Sequence, residues 1–397
     1  MDLGRNPMLK NVVLVGAGHA HVGALRSFGL TPDRGVRLTL ISRQAKTPYS
    51  GMLPGLVAGH YGFDDIHIDI DPLADFAGAQ FHQAEVTGLD LSARRVICDG
   101  CSPLPFDILS IDTGSTPGGS VIPGVARHAI AVKPIDQFIE RFEAARVRVL
   151  AARGNVRIGV VGGGAAGIEL ALSLDSRLRR DLEAAGSDGR ALRVAVLTMG
   201  AGIVPALPAG AQRRLARILS ERGIEVIANA RVIGVDGGQV AIEGGAVQDI
   251  DELFWTTEAA AAAWLADTGL ALDAAGFVAV DDTLQSVSHA GVFAAGDVAS
   301  MRGRNLPKSG VYAVRQGPYL ADNIRRAAAG RRLVPYRPQG QALYLISTGD
   351  RYAVGTRNGL SFEGAWVWRW KDWIDRRFMR TYKELPGVIK PSRRGAA

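Results

Sequence analysis

The alternation of apolar and polar positions divides this chain into strand–loop–helix units. Apolar runs of strand length are followed by longer segments with helical periodicity. The predicted strands lie at 12–15, 36–41, 106–111, 156–161, 191–197, 224–227 and 291–295. The predicted helices lie at 19–28, 134–152, 165–184, 209–222 and 309–328. Strands that alternate with helices are typical of parallel sheets, so the pattern predicts an α/β protein.

Two glycine-rich loops join a predicted strand to a predicted helix. The first contains Gly16 and Gly18, and the second contains Gly162, Gly164 and Gly167. Glycine lets the backbone approach a pyrophosphate, and the helix that follows points its positive end at the phosphates. One such loop is weak evidence in a chain with 49 glycines, but two of them predict two Rossmann-like dinucleotide sites.

Composition and charge narrow the class of protein. The 397 residues fit two or three domains, and 47% hydrophobic with 21% charged residues is typical of a globular protein. No apolar run approaches the roughly 18–20 residues of a membrane span, and no signal peptide is recognised, so a cytoplasmic location is expected. Residues 369–397 hold nine Lys or Arg against three Asp or Glu, which accounts for most of the net charge of +7. A general nucleic-acid-binding surface is therefore not expected, and no metal-ligand cluster stands out.

The two cysteines, Cys98 and Cys101, flank Asp99-Gly100, a dipeptide that favours a tight hairpin turn. A CxxC pair is either a redox dithiol or a hairpin that carries two thiols in a reducing compartment. The hairpin is favoured because the pair does not begin a predicted helix, where such thiols are usually activated.

The order of the motifs resembles the pyridine nucleotide–disulfide oxidoreductase superfamily. It runs from the first glycine loop through Asp112-Thr113-Gly114 and the second glycine loop to Phe293-Ala294-Ala295-Gly296-Asp297. Four further segments resemble the branch of type II NADH dehydrogenases and the FAD-dependent oxidoreductases associated with selenide water dikinase. They are 18–22, 49–55, 308–317 and 370–376.

This resemblance implies two Rossmann-like domains, with FAD in the outer one and NAD(P)H in the inner one, plus a C-terminal α+β module. The expected boundaries are 1–120 for the first part of the FAD-binding domain, 121–278 for the NAD(P)-binding-like domain, 279–335 for the second part of the FAD-binding domain and 336–397 for the C-terminal interface module. The dithiol positions of the family carry no cysteine here, so no catalytic disulfide is expected.

The resemblance also implies which residues meet the cofactors. On the FAD side they are Gly16, Gly18, His19, His21, Ser42, Arg43, Pro54, Thr113, Gly114, Gly296, Asp297, Tyr312 and Ala313. Asp297 is expected to hydrogen-bond the ribityl chain. One of His19 and His21 donates to phosphate or flavin, or both are packed structural histidines. Tyr49 and Pro54 either line the flavin edge or belong to the core. On the nicotinamide side the residues are Gly162, Gly164, Gly167 and Glu258.

Two residues are expected to take part in catalysis. Lys308 is expected beside the flavin ring, where a cation stabilises the anionic reduced flavin; the alternative is a surface lysine. Glu169 is expected near nicotinamide and flavin, and the alternative is a carboxylate favoured at a helix N-terminus.

Three departures from the family pattern occur at positions expected to contact the ribose and phosphate groups of the cofactors. Ser42 replaces the usual ribose-binding acid, Thr198-Met199 offers neither an acid nor an arginine to the inner nucleotide, and Glu258 replaces a glycine. These changes predict weak binding of NADH and NADPH with little selectivity between them.

The C-terminal module contains Trp366, Trp368, Trp370 and Trp373, four of the six tryptophans. The spacing of 366, 368 and 370 predicts a strand, and Trp370, Ile374, Phe378 and Tyr382 then follow a helical period. The stripe with its neighbouring arginines suits either a peripheral contact with a membrane that holds quinone or a face packed on the FAD domain or on a homodimer partner. The packed face is favoured.

These observations predict an FAD-dependent oxidoreductase that passes electrons from NAD(P)H to a quinone or another small acceptor. Two alternatives remain open. One is an FAD enzyme that acts directly on a small molecule and has a degenerate nicotinamide site. The other is a flavin-bound redox sensor or partner-binding protein.

Overall fold

The computed structural model describes residues 9–118, 122–257, 259–340 and 343–387. Residues 9–118 form the strands β1 (Lys10–Val15), β2 (Val36–Ser42), β3 (Lys46–Pro48), β4 (His67–Asp69), β5 (Ala79–Gln83), β6 (Val86–Asp90), β7 (Arg95–Cys98), β8 (Leu104–Pro105), β9 (Ile108–Ile111) and β10 (Thr116–Pro117). The same residues form the helices α1 (His19–Leu30), α2 (Leu53–Val57), α3 (Phe63–Ile66) and α4 (Ile70–Ala77).

Residues 122–257 form β11 (Ala129–Ala131), β12 (Val156–Val161), β13 (Leu192–Leu197), β14 (Glu225–Ile227), β15 (Val232–Asp236), β16 (Gln239–Ile242), β17 (Val247–Asp249) and β18 (Glu252–Trp255). Their helices are α5 (Val125–His128), α6 (Ile135–Ala151), α7 (Ala165–Ala184) and α8 (Ala209–Glu221). The remaining described residues form β19 (Ala259–Ala260), β20 (Val278–Val280), β21 (Val292–Ala294), β22 (Ala299–Met301), β23 (Tyr344–Ser347), β24 (Ala353–Arg357), β25 (Leu360–Gly364), α9 (Gly310–Ala328) and α10 (Ala365–Lys383).

The first glycine loop belongs to a five-stranded parallel sheet with the order β21-β9-β1-β2-β5. Its central strands are almost wholly apolar and buried on both faces, as expected of a parallel sheet between helices. Helix α1 packs on α9 where Gly317 meets Gly23; a Cβ on Gly317 would lie 2.8 Å from the carbonyl oxygen of Ala20. This close packing holds the first half of α1 against the middle of α9.

The second glycine loop belongs to another five-stranded parallel sheet, with the order β11-β18-β12-β13-β14. The prediction of an α/β fold with two Rossmann-like units is confirmed. The predicted helix at 165–184 and strand at 156–161 have the predicted bounds.

The last part of the chain is an antiparallel sheet, β23-β24-β25, followed by the long helix α10. Glu363 accepts hydrogen bonds from Arg214 and Arg217 on α8, whereas Lys371 on α10 donates to the carbonyl of Gly51. The C-terminal module thus contacts both Rossmann-like units, and α10 lies at their junction.

The strand predicted over Trp366, Trp368 and Trp370 is wrong, because these residues form the first turns of α10. Trp366 stacks on Trp370 with ring centroids 6.5 Å apart, which is the i, i+4 neighbour relation of a helix. Trp368 lies on another side of the helix, 5.3 Å from the ring of His60. The alternation of tryptophans therefore reflects two separate helix faces.

The apolar stripe expected at Trp370, Ile374, Phe378 and Tyr382 belongs only partly to the hydrophobic core. Tyr382 is buried and Phe378 packs against the core, but Trp370 and Ile374 are half-buried. The buried line also includes Val367, Met379 and the charged residue Asp375. A helix that buries charged groups between two nucleotide-binding units is a candidate for part of the functional site.

Candidate functional site

The first glycine loop is closed by a buried carboxylate that the sequence reading missed. A Cβ on Gly16, whose φ is +88°, would lie 2.5 Å from the carbonyl oxygen of Asp112. The carboxylate of Asp112 accepts hydrogen bonds from the backbone N–H groups of Ala20 and His21, at 2.8 and 2.9 Å. Burial raises the pKa of Asp112 to about 7. Asp112, which directly precedes Thr113-Gly114, therefore holds the start of α1.

The two histidines of the loop have different surroundings. The ring of His21 hydrogen-bonds the carbonyl of Gly16 at 2.6 Å and the hydroxyl of Ser110 at 2.8 Å. Both ring nitrogens of His21 therefore have protein partners, as in a structural histidine. Among the described residues, Nε2 of the buried His19 has no hydrogen-bond partner. Burial lowers the pKa of both rings to about 4, so both are neutral near pH 7.

Asp297 follows β21 at the same edge of the sheet. It accepts a hydrogen bond of 2.6 Å from Nζ of Lys133, and the hydroxyl of Ser115 lies 3.4 Å away. Beside it, the N–H of Gly296 donates to Gln316 on α9 at 2.6 Å. Lys133 was not recognised from the sequence because it lies far from Asp297 in the chain and belongs to no glycine motif.

Lys308 is half-buried in the loop before α9. Its Nζ donates to the carbonyl of Ala299 at 2.6 Å and lies 3.7 Å from the centre of the Phe277 ring. Burial lowers its pKa to about 8, although the nearby carboxylate of Asp297 opposes this shift. Tyr312 and Ala313 lie in the first turn of α9 and are buried.

A second cluster, named here the junction cluster, consists of Glu169, Lys371, Asp375 and Tyr49. Nζ of Lys371 donates to Asp375 at 2.7 Å and to the carbonyl of Gly51 at 2.6 Å. Burial, and then the nearby charge of Asp375, raises the pKa of Tyr49. The ring of Tyr49 packs on Phe378 with centroids 4.3 Å apart. The cluster joins helix α7, helix α10 and the loop that follows β3.

Glu169 stands in the second turn of α7, and its Oε1 accepts a hydrogen bond of 2.8 Å from the N–H of Ser347. Burial raises its pKa to about 7, although the charge of Lys371 lowers it. Burial lowers the pKa of Lys371, but the carboxylates of Asp375 and Glu169 outweigh burial and leave that pKa raised. Glu169 is thus a buried carboxyl group that exchanges a proton near neutral pH.

The second glycine loop is tightly packed against its own sheet. Gly162 has a φ of +127°, and a Cβ on Gly167 would overlap the carbonyl of Gly162. Gly164 caps α7, and a Cβ there would meet open space. At the end of β13, Thr198 is buried and Met199 is 60% exposed. Glu258 lies outside the described residues.

The remaining predicted residues lie along the same edge of the first sheet. Thr113 and Gly114 follow β9, and Gly114 has a φ of +73°. Pro54 is half-buried in the first turn of α2. Ser42 ends β2 and Arg43 follows it, with a guanidinium nitrogen 3.9 Å from a carboxylate oxygen of Asp136 on α6.

Comparison with known proteins identifies the family. The profile of the family described as "Pyridine nucleotide-disulphide oxidoreductase" matches residues 10–317. The chain belongs to this family. The predicted resemblance is therefore confirmed, and the protein is an oxidoreductase.

Several curated relatives are similar over most of their length. Demethylphylloquinone reductase NdbB of Synechocystis sp. is 26% identical over 355 residues, which cover 86% of this chain and 84% of that protein. Ferroptosis suppressor protein 1 of Xenopus tropicalis is 29% identical, with 70% and 72% covered. The type II NADH:quinone oxidoreductase of Haemophilus influenzae is 23% identical, with 90% of each chain covered.

Two solved structures show the same fold. The sulfide:quinone oxidoreductase from Aquifex aeolicus has a TM-score of 0.79 at 20% identity, covering 96% of this chain and 93% of that one. NDH2 from Plasmodium falciparum in complex with NADH has a TM-score of 0.76 at 14% identity, covering 96% of this chain and 100% of that one.

Proteins of this family and its structural neighbours bind FAD and NADH or NADPH. The first glycine loop fits FAD in two respects. The buried Nε2 of His19 has no partner among the described residues, as expected of a group that meets a cofactor oxygen. Gly16 lies so close to the backbone of Asp112 that a side chain would disturb the loop.

Cys98 and Cys101 are joined by a disulfide in the turn between β7 and β8. The hairpin expected from Asp99-Gly100 is confirmed. The two cysteines were expected as free thiols, but they form a disulfide. Neither cysteine belongs to the glycine loops, to the loop before α9 or to the junction cluster.

We expect the double variant Cys98→Ser/Cys101→Ser to retain its rates of flavin reduction and reoxidation within about twofold, because the disulfide lies outside these groups. Stopped-flow absorbance of the flavin measures both rates. A loss of turnover of more than about tenfold, an effect of roughly 1.4 kcal/mol on the barrier, would contradict this expectation if FAD is still bound.

Proposed function

We propose that this oxidoreductase passes electrons from NAD(P)H through FAD to a quinone without a catalytic disulfide. The observation that carries the proposal is the junction cluster. In this cluster the charge of Lys371 on α10 acts on the carboxyl group of Glu169 on α7, whose pKa burial raises to about 7. Reduction of a quinone to a hydroquinone needs protons as well as electrons, and the cluster supplies a route for them.

We assign the cofactors to the regions expected from the sequence. The domain of residues 1–120 and 279–335 would hold FAD, with Gly16 and Gly18 beside its pyrophosphate, and the domain of residues 121–278 would hold the nicotinamide nucleotide. FAD supplies the hydride chemistry when bound. His19, whose Nε2 has no partner among the described residues, would donate to an oxygen of the cofactor, and Asp297 paired with Lys133 would hold the ribityl end.

Lys308 and the junction cluster act on charge and protons. Lys308 is held by the carbonyl of Ala299 and the ring of Phe277. Its cation would stabilise negative charge on a reduced flavin bound beside it. Burial raises the pKa of Glu169 to about 7, which suits a group that gives a proton to an acceptor and regains one. Lys371 keeps the deprotonated form of Glu169 compatible with burial.

Steady-state turnover with different acceptors tests this proposal. The purified FAD-loaded protein is given NADH or NADPH with a short-chain quinone, and separately with an aromatic disulfide. We expect oxidation of the nicotinamide with the quinone and about background rates with the disulfide. Turnover with the disulfide and not with the quinone would contradict the proposal.

We also propose that one face of the C-terminal module contacts a membrane surface. Leu360 is 73% exposed, Trp366 51% and Trp373 49%. The guanidinium group of Arg377 lies 5.2 Å from the ring of Trp373, and Arg369 and Arg380 are exposed on the same helix. Exposed aromatic and basic side chains on one helix are typical of proteins that lie on an anionic membrane. Within the described ranges, no helix has the length and apolarity to cross a membrane.

We expect the double variant Trp366→Ser/Trp373→Ser to bind vesicles of anionic lipid about 30-fold less than the unmodified protein, because the two indole rings, once buried in lipid, each contribute roughly 1 kcal/mol. Co-sedimentation at two salt concentrations measures the binding. Val147→Ser on α6 is the control, since Val147 is also exposed, at 63%. If the unmodified protein does not bind vesicles and instead dimerises through this face in sedimentation velocity, the membrane contact is wrong.

A further inference from the structure

The adenosine end of the FAD site lacks its usual acid. In Rossmann folds a carboxylate at the end of the second strand holds the hydroxyl groups of the adenosine ribose. Here β2 ends at Ser42 and continues with Arg43 and Gln44. A hydroxyl, a cation and an amide stand in place of that acid.

A carboxylate nevertheless reaches this place from another element. Asp136, in the first turn of α6, accepts a hydrogen bond from the side-chain amide of Gln44. Its other oxygen lies 3.9 Å from a guanidinium nitrogen of Arg43. The two residues that follow β2 therefore orient a carboxylate from α6 toward the end of that strand.

Lys133, three residues before Asp136, ties the same segment of chain to a second point on the sheet. Lys133 pairs with Asp297, which follows β21, whereas Asp136 pairs with the residues that follow β2. In the sheet order, β9 and β1 lie between β21 and β2. Three strand spacings of about 4.8 Å separate β21 from β2 by roughly 14 Å. Residues 133–136 therefore cross the carboxyl edge of the sheet, where a dinucleotide binds in this type of fold.

A second carboxylate near Arg43 is less suited to bind ribose. Glu85, two residues after β5, has an oxygen 4.0 Å from Arg43, and its side chain is 58% exposed. The side chain of Asp136 is 27% exposed. Hydrogen bonds to a less solvated carboxylate contribute more to binding because water competes less.

We infer that Asp136, supplied by α6, is the carboxylate that accepts hydrogen bonds from the adenosine ribose of FAD, with Gln44 and Arg43 orienting it. It is a specificity-determining residue for the adenosine half of the cofactor. The inference rests on FAD binding and not on the identity of the electron acceptor.

The test uses the protein stripped of flavin and titrated with FAD and with an FAD analogue whose adenosine lacks the 2′-hydroxyl. Quenching of flavin fluorescence gives both dissociation constants without turnover. We expect the unmodified protein to prefer FAD by about tenfold, because a hydrogen bond to a charged group is lost in the analogue. In Asp136→Asn this preference should fall to about one, while Glu85→Gln should retain it.

Two results would overturn the inference. One is a preference for FAD over the analogue that survives in Asp136→Asn. This outcome would show that Asp136 has a purely structural role, even if both ligands bind more weakly. The other is a preference lost in Glu85→Gln, which would make Glu85 the ribose ligand. Melting curves establish that each variant is folded, and Asp136→Ser replaces Asp136→Asn if the latter is not.

Discussion

Replacing Lys371 by methionine is expected to lower the free energy of unfolding by about 3–5 kcal/mol. The substitution keeps most of the side-chain volume but leaves the buried carboxylate of Asp375 without the cation that pairs with it. It also removes a donor from the buried carbonyl of Gly51. Chemical denaturation monitored by tryptophan fluorescence measures the change.

The matched control lies on the same helix. Arg376 pairs with Asp372 at the same i, i+4 spacing, but its side chain is 46% exposed. Arg376→Met should therefore cost no more than about 1 kcal/mol. If Lys371→Met is no more damaging than Arg376→Met, the junction cluster is not a buried ion pair in solution.

Replacing Glu169 by glutamine is expected to slow flavin reoxidation by quinone about 100-fold, the order of a general-acid contribution. The amide oxygen can still accept the hydrogen bond from Ser347, so the local fold should persist. Flavin reduction by NADH needs no proton from this residue and should change by less than about threefold. Anaerobic stopped-flow mixing measures the two half-reactions separately, and Glu183→Gln at the exposed end of α7 is the control.

The pH dependence follows from the raised pKa of Glu169, about 7. A proton donor acts in its protonated form, so the rate of reoxidation by quinone should be highest below pH 7 and fall as the pH rises through this value. Glu169→Gln should lose this inflection. An unchanged pH profile in the variant would show that another group supplies the proton.

The strand–loop–helix pattern was enough to predict both parallel sheets. Both glycine loops could be recognised because the residues that form them are contiguous. Short-range patterns of this kind report local structure, which is why the bounds of α7 agree with the prediction. The strand predicted at 366–370 failed for the same reason, since a few aromatic residues satisfy both strand and helix spacing.

The charged residues of the site were harder to predict. Tertiary folding brings Asp112 to the glycine loop, Lys133 to Asp297 and Asp136 to Arg43. The sequence around Lys133 and Asp136 carries no signal of these contacts, and the motif that contains Asp112 does not show that its carboxylate holds the start of α1. The Lys371–Asp375 pair had a visible i, i+4 spacing, but this spacing is also common on exposed helix faces. The Lys371–Asp375 pair differs from an exposed pair because α7 and the loop after β3 bury it. This burial is a property of the fold and cannot be recognised from the spacing.

The most direct test of the proposed electron path is an anaerobic reduction and reoxidation of the purified flavoprotein. NADH or NADPH is mixed with the protein while flavin absorbance is followed, and a short-chain quinone is then added. The account predicts complete bleaching by the nicotinamide and full recovery of absorbance on addition of quinone, in both the unmodified protein and Cys98→Ser/Cys101→Ser. Flavin that neither nucleotide bleaches, or reduced flavin that quinone does not reoxidise, would contradict it.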